Sequence, residues 1–241
     1  MITYKDVEDK AMPSEKREQC KDDWFSFYVG RKLAYLLTIP FLYSPLTPNH
    51  VTFISIALLI IGFGVNCYAV SKALMMIAWL CYFLWSLLDA VDGNMARYRK
   101  QFSKLGDLYD TMGGYLAYAI LFLGMGIGAF YQPDIVAKVL PAHFFIILGA
   151  ASSLSCLFSR LIYQKIRVSY PEKNSVAGVV ETKSFSKILA LNILSISGGA
   201  MVMSCISIVC GVLGLFTVVY FVLNIVSMVY SIHSIIKEVI K

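Results

Sequence analysis

The sequence contains little charge for its length. Asp, Glu, Lys and Arg make up 15% of the 241 residues, whereas hydrophobic residues make up 58%, and the mean hydropathy is +0.69. This balance excludes a soluble enzyme with a separate cofactor domain. A helix needs about 20 apolar residues to cross a bilayer, so the chain has room for about six crossings. We therefore predict an all-α integral membrane protein.

The sequence also lacks the cysteine spacing of a metal or disulfide framework. Its six cysteines are scattered, mostly within apolar runs, with no C-x-x-C pair and no histidine at ligand spacing. They are interpreted as small buried hydrophobic residues. The first 23 residues carry twelve charges and no apolar core, so we expect no signal peptide.

The apolar runs predict six membrane spans preceded by an interfacial helix. Residues 24–41 are rich in aromatics, but Arg31 and Lys32 interrupt them and Pro40 ends them, which is typical of an amphipathic helix at the membrane surface. The spans are expected at about 50–70, 74–96, 107–130, 142–163, 188–210 and 214–235. Residues 1–47 would then form a cytoplasmic segment with the interfacial helix, and residues 48–241 the six-span domain.

The basic residues predict the orientation of these spans. If the N-terminus is cytoplasmic, 19 of the 21 Lys and Arg lie on the cytoplasmic side, and Lys72 and Lys138 are the exceptions. Both termini are then cytoplasmic, and the net charge of +6 marks topology rather than a nucleic-acid partner. The polar segment 168–187 is either a flap over a site or a connector, and we favour the connector.

Four of the fifteen acidic residues lie at the cytoplasmic ends of the second and third spans: Asp89, Asp92, Asp107 and Asp110. An ionised carboxylate at this depth costs a few kcal/mol or more unless it is paired or binds a cation. Two antiparallel helices joined by a short basic loop would bring these acids together. Mg²⁺ or Mn²⁺ would relieve their repulsion and leave coordination positions for a phosphate, and two such ions would polarise a phosphoryl group.

The spacing around the first two acids supports a binding site. Asp89, Asp92, Gly93 and Ala96 share one helical stripe, so two carboxylates lie beside two positions with almost no side chain. This leaves room for the flat face of a nucleotide, and Arg97 could bind a phosphate in bidentate fashion. The alternative is that the acids pair with the nearby basic residues and only anchor the helices.

The run Asp89-x-x-Asp92-Gly93-x-x-Ala96-Arg97-x₈-Gly106-x-x-x-Asp110 resembles the signature of the CDP-alcohol phosphotransferases. These integral-membrane enzymes make phospholipids, and the six spans and the N-terminal interfacial helix are also similar to that family. The resemblance implies that Asp89, Asp92 and Asp110 bind metal. It implies that the cytidine diphosphate donor lies against a further set of residues, namely Asn49, Thr52, Gly93, Ala96, Arg97 and Gly106.

The sequence departs from the family pattern at one position. The family pattern has a fourth Asp four residues after the third, as a metal ligand and as the base for the acceptor hydroxyl, but this position is Gly114. Three explanations stay open: Asp107 or another group substitutes, the acceptor supplies its own base, or the chain binds nucleotide without efficient turnover. General-base help is typically worth 10² to 10⁴ in rate, so its loss would slow a metal-driven reaction rather than abolish it.

The resemblance implies a metal-dependent enzyme that transfers a substituted phosphate group to an acceptor hydroxyl and releases CMP. The donor is CDP-diacylglycerol or a CDP- or CMP-linked head group, the cofactor is Mg²⁺ or Mn²⁺ as two ions, and the acceptor is a polar molecule or a lipid. By the same resemblance, Arg160 and Lys165 would bind a phosphate on the acceptor, with an interface anchor as the alternative role for Arg160, and a homodimer is possible. A compact chain favours a bacterial inner membrane over the endoplasmic reticulum. The rivals are a catalytically weak nucleotide-binding protein and a six-span cation transporter.

Overall fold

The structure, a computed structural model, describes residues 2–12, 17–18, 20–169 and 185–239. These residues form α-helices, one π-helical turn (Ser26–Gly30) and one 3₁₀ turn (Ile135–Lys138), with no β-strand among them. The all-α prediction is therefore confirmed. The helices are α1 (Tyr4–Ala11), α2 (Arg31–Tyr43), α3 (Pro48–Asn66), α4 (Lys72–Arg99), α5 (Lys104–Tyr131), α6 (His143–Ser169), α7 (Phe185–Leu194), α8 (Gly199–Cys210) and α9 (Leu213–Val239).

Five helices are long and apolar enough to cross a membrane: α3, α4, α5, α6 and α9. The pair α7 and α8 makes a sixth crossing if its two parts form one span, but the pair is bent by 52°. The span predicted at about 188–210 therefore corresponds to two helices with a bend between them. The helix is interrupted between Leu194 and Gly199, where Gly198 has φ −112° and ψ −113°, and the Ser195 hydroxyl donates to Asp23 Oδ2 at 2.7 Å. The predicted connector lies largely outside the described residues, since residues 170–184 are not among them.

The helix predicted at the membrane surface corresponds to the π-helical turn and α2. This segment is not among the helices that are long and apolar enough to cross a membrane, and Arg31 and Lys32 lie in the first turn of α2. The prediction that it ends at Pro40 is wrong, because the helix continues to Tyr43. A proline inside a helix removes a backbone donor, and here the end of the helix is stabilised from another element.

Arg99, the last residue of α4, holds the end of α2. Its Nη1 donates to the carbonyl of Leu46 at 2.6 Å, and its Nη2 lies 2.9–3.1 Å from the carbonyls of Phe41, Leu42 and Ser44. The last carbonyls of a helix have no partner within the helix, so a planar guanidinium with several donors satisfies them well. Arg99 therefore fixes α2 and the following turn against the end of α4.

Two glycines let α5 and α6 cross with their backbones in contact. A Cβ added at Gly149 would lie 2.6 Å from the carbonyl oxygen of Phe122, and one added at Gly126 would clash with the carbonyl oxygen of Phe145. Such close crossings are typical of membrane helices. In lipid the hydrophobic effect does not drive helices together, and small residues allow the close backbone approach that stabilises the contact. Because α5 and α6 meet this closely, the side chains of both helices line the same cavities.

We predict that Arg99→Lys destabilises the protein by about 1–3 kcal/mol, because an ammonium group cannot reach four carbonyls in one plane. Thermal unfolding in detergent should show a midpoint lower by about 2–4 °C per kcal/mol. Lys32→Gln, which removes one exposed charge from α2, is the control and should leave the midpoint unchanged. If Arg99→Lys is as stable as the parent protein, the four hydrogen bonds of the Arg99 guanidinium do not contribute to the stability of the fold.

Candidate active site

A cavity of about 850 Å³ opens where α4 ends and α5 begins. This volume is within the range of small-molecule sites. Twelve residues that were predicted from the sequence to belong to the site line this cavity: Asn49, Thr52, Asp89, Asp92, Gly93, Ala96, Arg97, Gly106, Asp107, Asp110, Gly114 and Arg160. These residues come from four different helices, so the fold gathers them.

Asp92 is the most constrained carboxylate of the cavity. It is 5% exposed, and the buried hydroxyl of Thr52 donates to its Oδ2 at 2.5 Å. Thr52 lies one turn into α3, whose N-terminus is fixed by a capping box between Thr47 and His50, with Pro48 in the first turn. The capping box and the proline, both visible in the sequence, therefore fix the start of α3 and with it the Thr52 hydroxyl that orients Asp92.

The other carboxylates face the same space. Asp89 is close enough to Asp92 and Asp110 for all three charges to repel one another, and Asp107 adds to the repulsion at Asp110. Among the described residues, the only salt bridges join Arg17 to Glu8 and Lys21 to Glu18.

The alternative that these acids are simply ion-paired anchors is therefore wrong in the part of the chain that the structure describes. Arg99, one of the proposed partners, binds backbone carbonyls instead. The remaining basic residues nearby, Arg97, Lys100 and Lys104, form no salt bridge with the acids at 4 Å or less.

The carboxylates suit a hard cation by their chemistry. In the described residues, however, no three Asp, Glu, His or Cys side chains converge into a ready-made metal group. Mg²⁺ is usually held by one or two carboxylates together with waters and substrate phosphates, rather than by a cage made only of protein. The donor set therefore fits a site that is completed by its substrate, and the metal role of Asp89, Asp92 and Asp110 stays a prediction.

Arg97 lies across Gly93 rather than beside empty space. A Cβ added at Gly93 would be 3.1 Å from Arg97 Nη2, so the glycine makes room for the guanidinium. Gly93 is expected to leave open space for the face of a nucleotide, but the Arg97 guanidinium occupies the space beside it. Arg97 Nη2 donates to Asn94 Oδ1 at 3.1 Å, while its buried Nε has no hydrogen-bond partner. Asn94 in turn donates to Thr38 Oγ1 at 3.2 Å, which ties this arginine to α2.

The starts of α3 and α5 meet at Gly106. A Cβ added there would lie 2.9 Å from Asn49 Oδ1 and 3.0 Å from the Ser103 hydroxyl, which caps α5. The motif glycine thus allows Asn49 to reach the cavity wall. Two residues for which the same role was predicted, Asn49 and Gly106, are in this way direct neighbours.

The predicted acceptor pair is separated. Arg160 lines the cavity, where its Nη2 donates to the Tyr118 hydroxyl at 3.0 Å. Lys165 is exposed and is not among the lining residues. Five residues on one helix differ by about 500° of rotation, so the two side chains point in different directions.

Sequence reasoning missed several residues of the cavity wall. Trp85 and Tyr118 extend the motif stripes by one turn on α4 and α5, so helical spacing could have found them. The contributions of Ala11, Arg31 and Ser197 come from the N-terminal segment and from the break between α7 and α8. No local pattern predicts these, because they depend on contacts between distant parts of the chain.

The N-terminal segment is attached to the broken span. Asn192 Nδ2 donates to the carbonyl of Asp22 at 2.5 Å, and the backbone N–H of Trp24 donates to Asn192 Oδ1 at 2.7 Å. Together with the bond between Ser195 and Asp23, these contacts close one side of the cavity.

Comparison with known proteins identifies a family for the chain. No curated protein is significantly similar to the chain. The sequence profile of the CDP-alcohol phosphatidyltransferase family matches residues 45–229, which include α3 to α8, much of α9 and all twelve cavity positions named above. Members of that family transfer substituted phosphate groups from a CDP-alcohol to a hydroxyl acceptor in lipid biosynthesis, and they generally depend on a divalent metal. With most of its length matched, the chain belongs to the CDP-alcohol phosphatidyltransferase family.

Proposed function

We propose that this protein transfers a substituted phosphate group from a CDP-linked donor to an acceptor hydroxyl and releases CMP. Asp89, Asp92 and Asp110 would hold one or two Mg²⁺ or Mn²⁺ ions. The observation that carries this proposal is a cavity in which three mutually repelling carboxylates have no salt-bridge partner among the described residues. Charges left in this way inside a membrane protein are typically functional.

The chain's own residues would position the donor. Arg97 has a buried Nε without a partner, and its guanidinium lies over Gly93 in the wall of the cavity. A guanidinium in this position suits a phosphate oxygen of the donor. Asn49, beside Gly106, offers an amide to the same diphosphate or to the cytosine.

The reaction requires charge neutralisation more than covalent chemistry. A bound divalent cation would withdraw electron density from the phosphate and stabilise the charge that develops on the departing CMP. Thr52 keeps Asp92 in one orientation, so that this carboxylate need not reorganise when the donor arrives.

The transfer step forms one bond and breaks one. The acceptor oxygen bonds to the β-phosphorus, the bond from that phosphorus to the bridging oxygen breaks, and CMP leaves with the bonding electron pair. The hydroxyl proton would pass to Asp107, which lines the cavity near Asp110. We assign this role to Asp107 because Gly114 has no side chain that could accept a proton.

The acceptor would approach from the side of Arg160 and Gly114. A Cβ added at Gly114 would have no atom within 4 Å, so the missing aspartate leaves open space in the cavity. The donor is either CDP-diacylglycerol with a polar acceptor, or a CDP- or CMP-linked head group that is passed to a lipid or lipid-linked glycan. The basic residues favour a cytoplasmic position for this cavity and for both termini. The compact chain favours a bacterial inner membrane over the endoplasmic reticulum.

A second candidate function rests on the same glycine. A chain without the family's base could bind the nucleotide and turn over very slowly. The cation-transporter alternative is less well supported, because the carboxylates lie where α4 ends and α5 begins rather than midway along the spans.

The proposal predicts that purified protein releases CMP from a CDP-alcohol in the presence of Mg²⁺ or Mn²⁺ and a suitable acceptor, and that EDTA stops the release. Asp92→Asn should lower kcat/KM by about 10²-fold or more, because it removes a charge that stabilises the transition state through the metal. Asp9→Asn, on the exposed face of α1, is the matched control. If no CMP appears with any donor and acceptor pair while Mg²⁺-dependent nucleotide binding persists, the second candidate is correct.

For Gly114, we predict that Gly114→Ala raises the KM for the acceptor several-fold and leaves the KM for the donor unchanged, because the methyl group occupies acceptor space without a clash. Gly64→Ala, also in open space but on α3 away from the cavity, is the control. Steady-state kinetics with each substrate varied in turn would test this. A rise in kcat of about 10²-fold in Gly114→Asp would instead mean that the chain has lost its base.

A further inference from the structure

The interfacial helix contributes one arginine to the cavity. Arg31, the first residue of α2, lines the cavity together with Ser26 and Gly30 of the preceding π-helical turn. The matched family profile begins at residue 45, so all three residues lie outside it. Neither the motif nor the family assignment gives Arg31 a role, and its own surroundings therefore indicate what it does.

A π-helical turn immediately precedes Arg31 and sets its direction. The backbone N–H of Arg31 donates to the carbonyl of Ser26, five residues back, within a helix that is continuous over residues 24–43. Such a turn holds about one residue more than an α-helical turn, which rotates the residues after it by about 100° around the helix axis. Trp24 and Tyr28 are exposed, whereas Arg31 is half-buried at the cavity wall. π-Helical turns within α-helices are frequent at functional sites.

Arg31 and Arg97 form a pair of like charges in the cavity wall. They are close enough for their positive charges to repel each other, and neither forms a salt bridge with a described residue. Arg31 Nη2 donates to the Cys20 sulfur at 3.4 Å, but a thiol sulfur is a weak acceptor. The Tyr35 hydroxyl lies beside the same guanidinium and donates to Met12 Sδ at 3.7 Å. Because a guanidinium has five N–H donors, Arg31 keeps donors for a ligand.

Two attachments hold α2 against α4 and keep the two arginines together. Buried Asn94 donates to the buried Thr38 hydroxyl at 3.2 Å and accepts from Arg97 Nη2 at 3.1 Å. At the other end of α2, Arg99 binds the carbonyls of the last turn. The repulsion between Arg31 and Arg97 is therefore not relieved by separation of the helices. A phosphate that accepts hydrogen bonds from both guanidiniums would neutralise it.

The position of the pair indicates which phosphate it would bind. Arg97 lies over Gly93, where the donor diphosphate is proposed to bind, whereas the acceptor is proposed to approach from Gly114 and Arg160 on α5 and α6. Because Arg31 neighbours Arg97, it belongs to the nucleotide side of the cavity. The phosphate on this side stays with CMP when the bond to the β-phosphorus breaks. Two guanidiniums would stabilise the charge that develops on it.

We propose that Arg31 is a second phosphate-binding residue of the donor site and that, together with Arg97, it binds the phosphate that leaves as CMP. The interfacial helix is then a part of the substrate site and not only an anchor at the membrane surface. The inference rests on the proposed transfer function, and it adds a substrate-binding residue from outside the matched family profile.

Calorimetric titration of the purified protein with CMP, in neutral detergent with Mg²⁺, tests this role without turnover. Arg31→Gln should raise the Kd for CMP about tenfold or more, the loss typical of one hydrogen bond to a charged group. Cytidine, which has no phosphate, should bind the variant and the parent protein equally. Lys32→Gln removes the neighbouring exposed charge, which does not line the cavity, and is the matched control. An unchanged Kd for CMP, an equal loss for cytidine, or no CMP binding by the parent protein overturns the proposal.

A second variant separates binding from folding. If Arg31→Gln does not keep a cooperative thermal transition, Arg31→Lys is titrated in its place, because it keeps the charge but not the planar fork of donors. Its Kd for CMP should be higher than that of the parent protein, and an equal Kd overturns the proposal.

The same titration in nanodiscs distinguishes a nucleotide phosphate from a lipid headgroup phosphate. The loss of CMP affinity in Arg31→Gln should be the same in neutral lipid and in lipid that contains an anionic phospholipid. A loss confined to the anionic lipid would assign Arg31 to headgroups and overturn the proposal. If the parent protein releases no CMP from any donor while its CMP binding depends on Arg31, the binding role is retained and the transfer function is rejected.

Discussion

The repulsion among three carboxylates at one end of a membrane bundle is the constraint on which the rest of the structure depends. Asp89, Asp92 and Asp110 are held together although no salt bridge neutralises them in the described part of the chain. The surrounding elements make this possible: Thr52 orients Asp92, and Arg99 binds α2 to the end of α4 rather than pairing with an acid. A divalent cation would neutralise this repulsion, and an anionic substrate would then bind through the cation.

The cavity is closed by parts of the chain that are distant in sequence. The segment around Asp23 binds the break between α7 and α8, so that the N-terminal residues and the bent span form one wall. Tyr118, one turn after Gly114 on α5, and Arg160 of α6 also line this cavity. We interpret the cavity as the donor site and the open position at Gly114 as space for the acceptor.

Much of this arrangement could be predicted from the sequence, because the motif is local. Helical spacing places Asp89 and Asp92 on one stripe, and hydropathy locates the spans to within a few residues. The break at Gly198 was not predictable, because hydropathy averages over a window and does not register a bend that a hydrogen bond from Ser195 stabilises. Spacing also could not show that Gly93 accommodates Arg97, because the path of this long side chain depends on its hydrogen bond to Asn94, which is itself held by Thr38 of α2.

The central claim is that the three carboxylates bind a divalent cation together with the donor phosphates. Anomalous diffraction from crystals grown with Mn²⁺ and a CDP-alcohol tests it most directly. The account predicts one or two manganese peaks at bonding distance from carboxylate oxygens of Asp89, Asp92 and Asp110, with the diphosphate completing the coordination. Bound nucleotide with no manganese peak at these residues would contradict it.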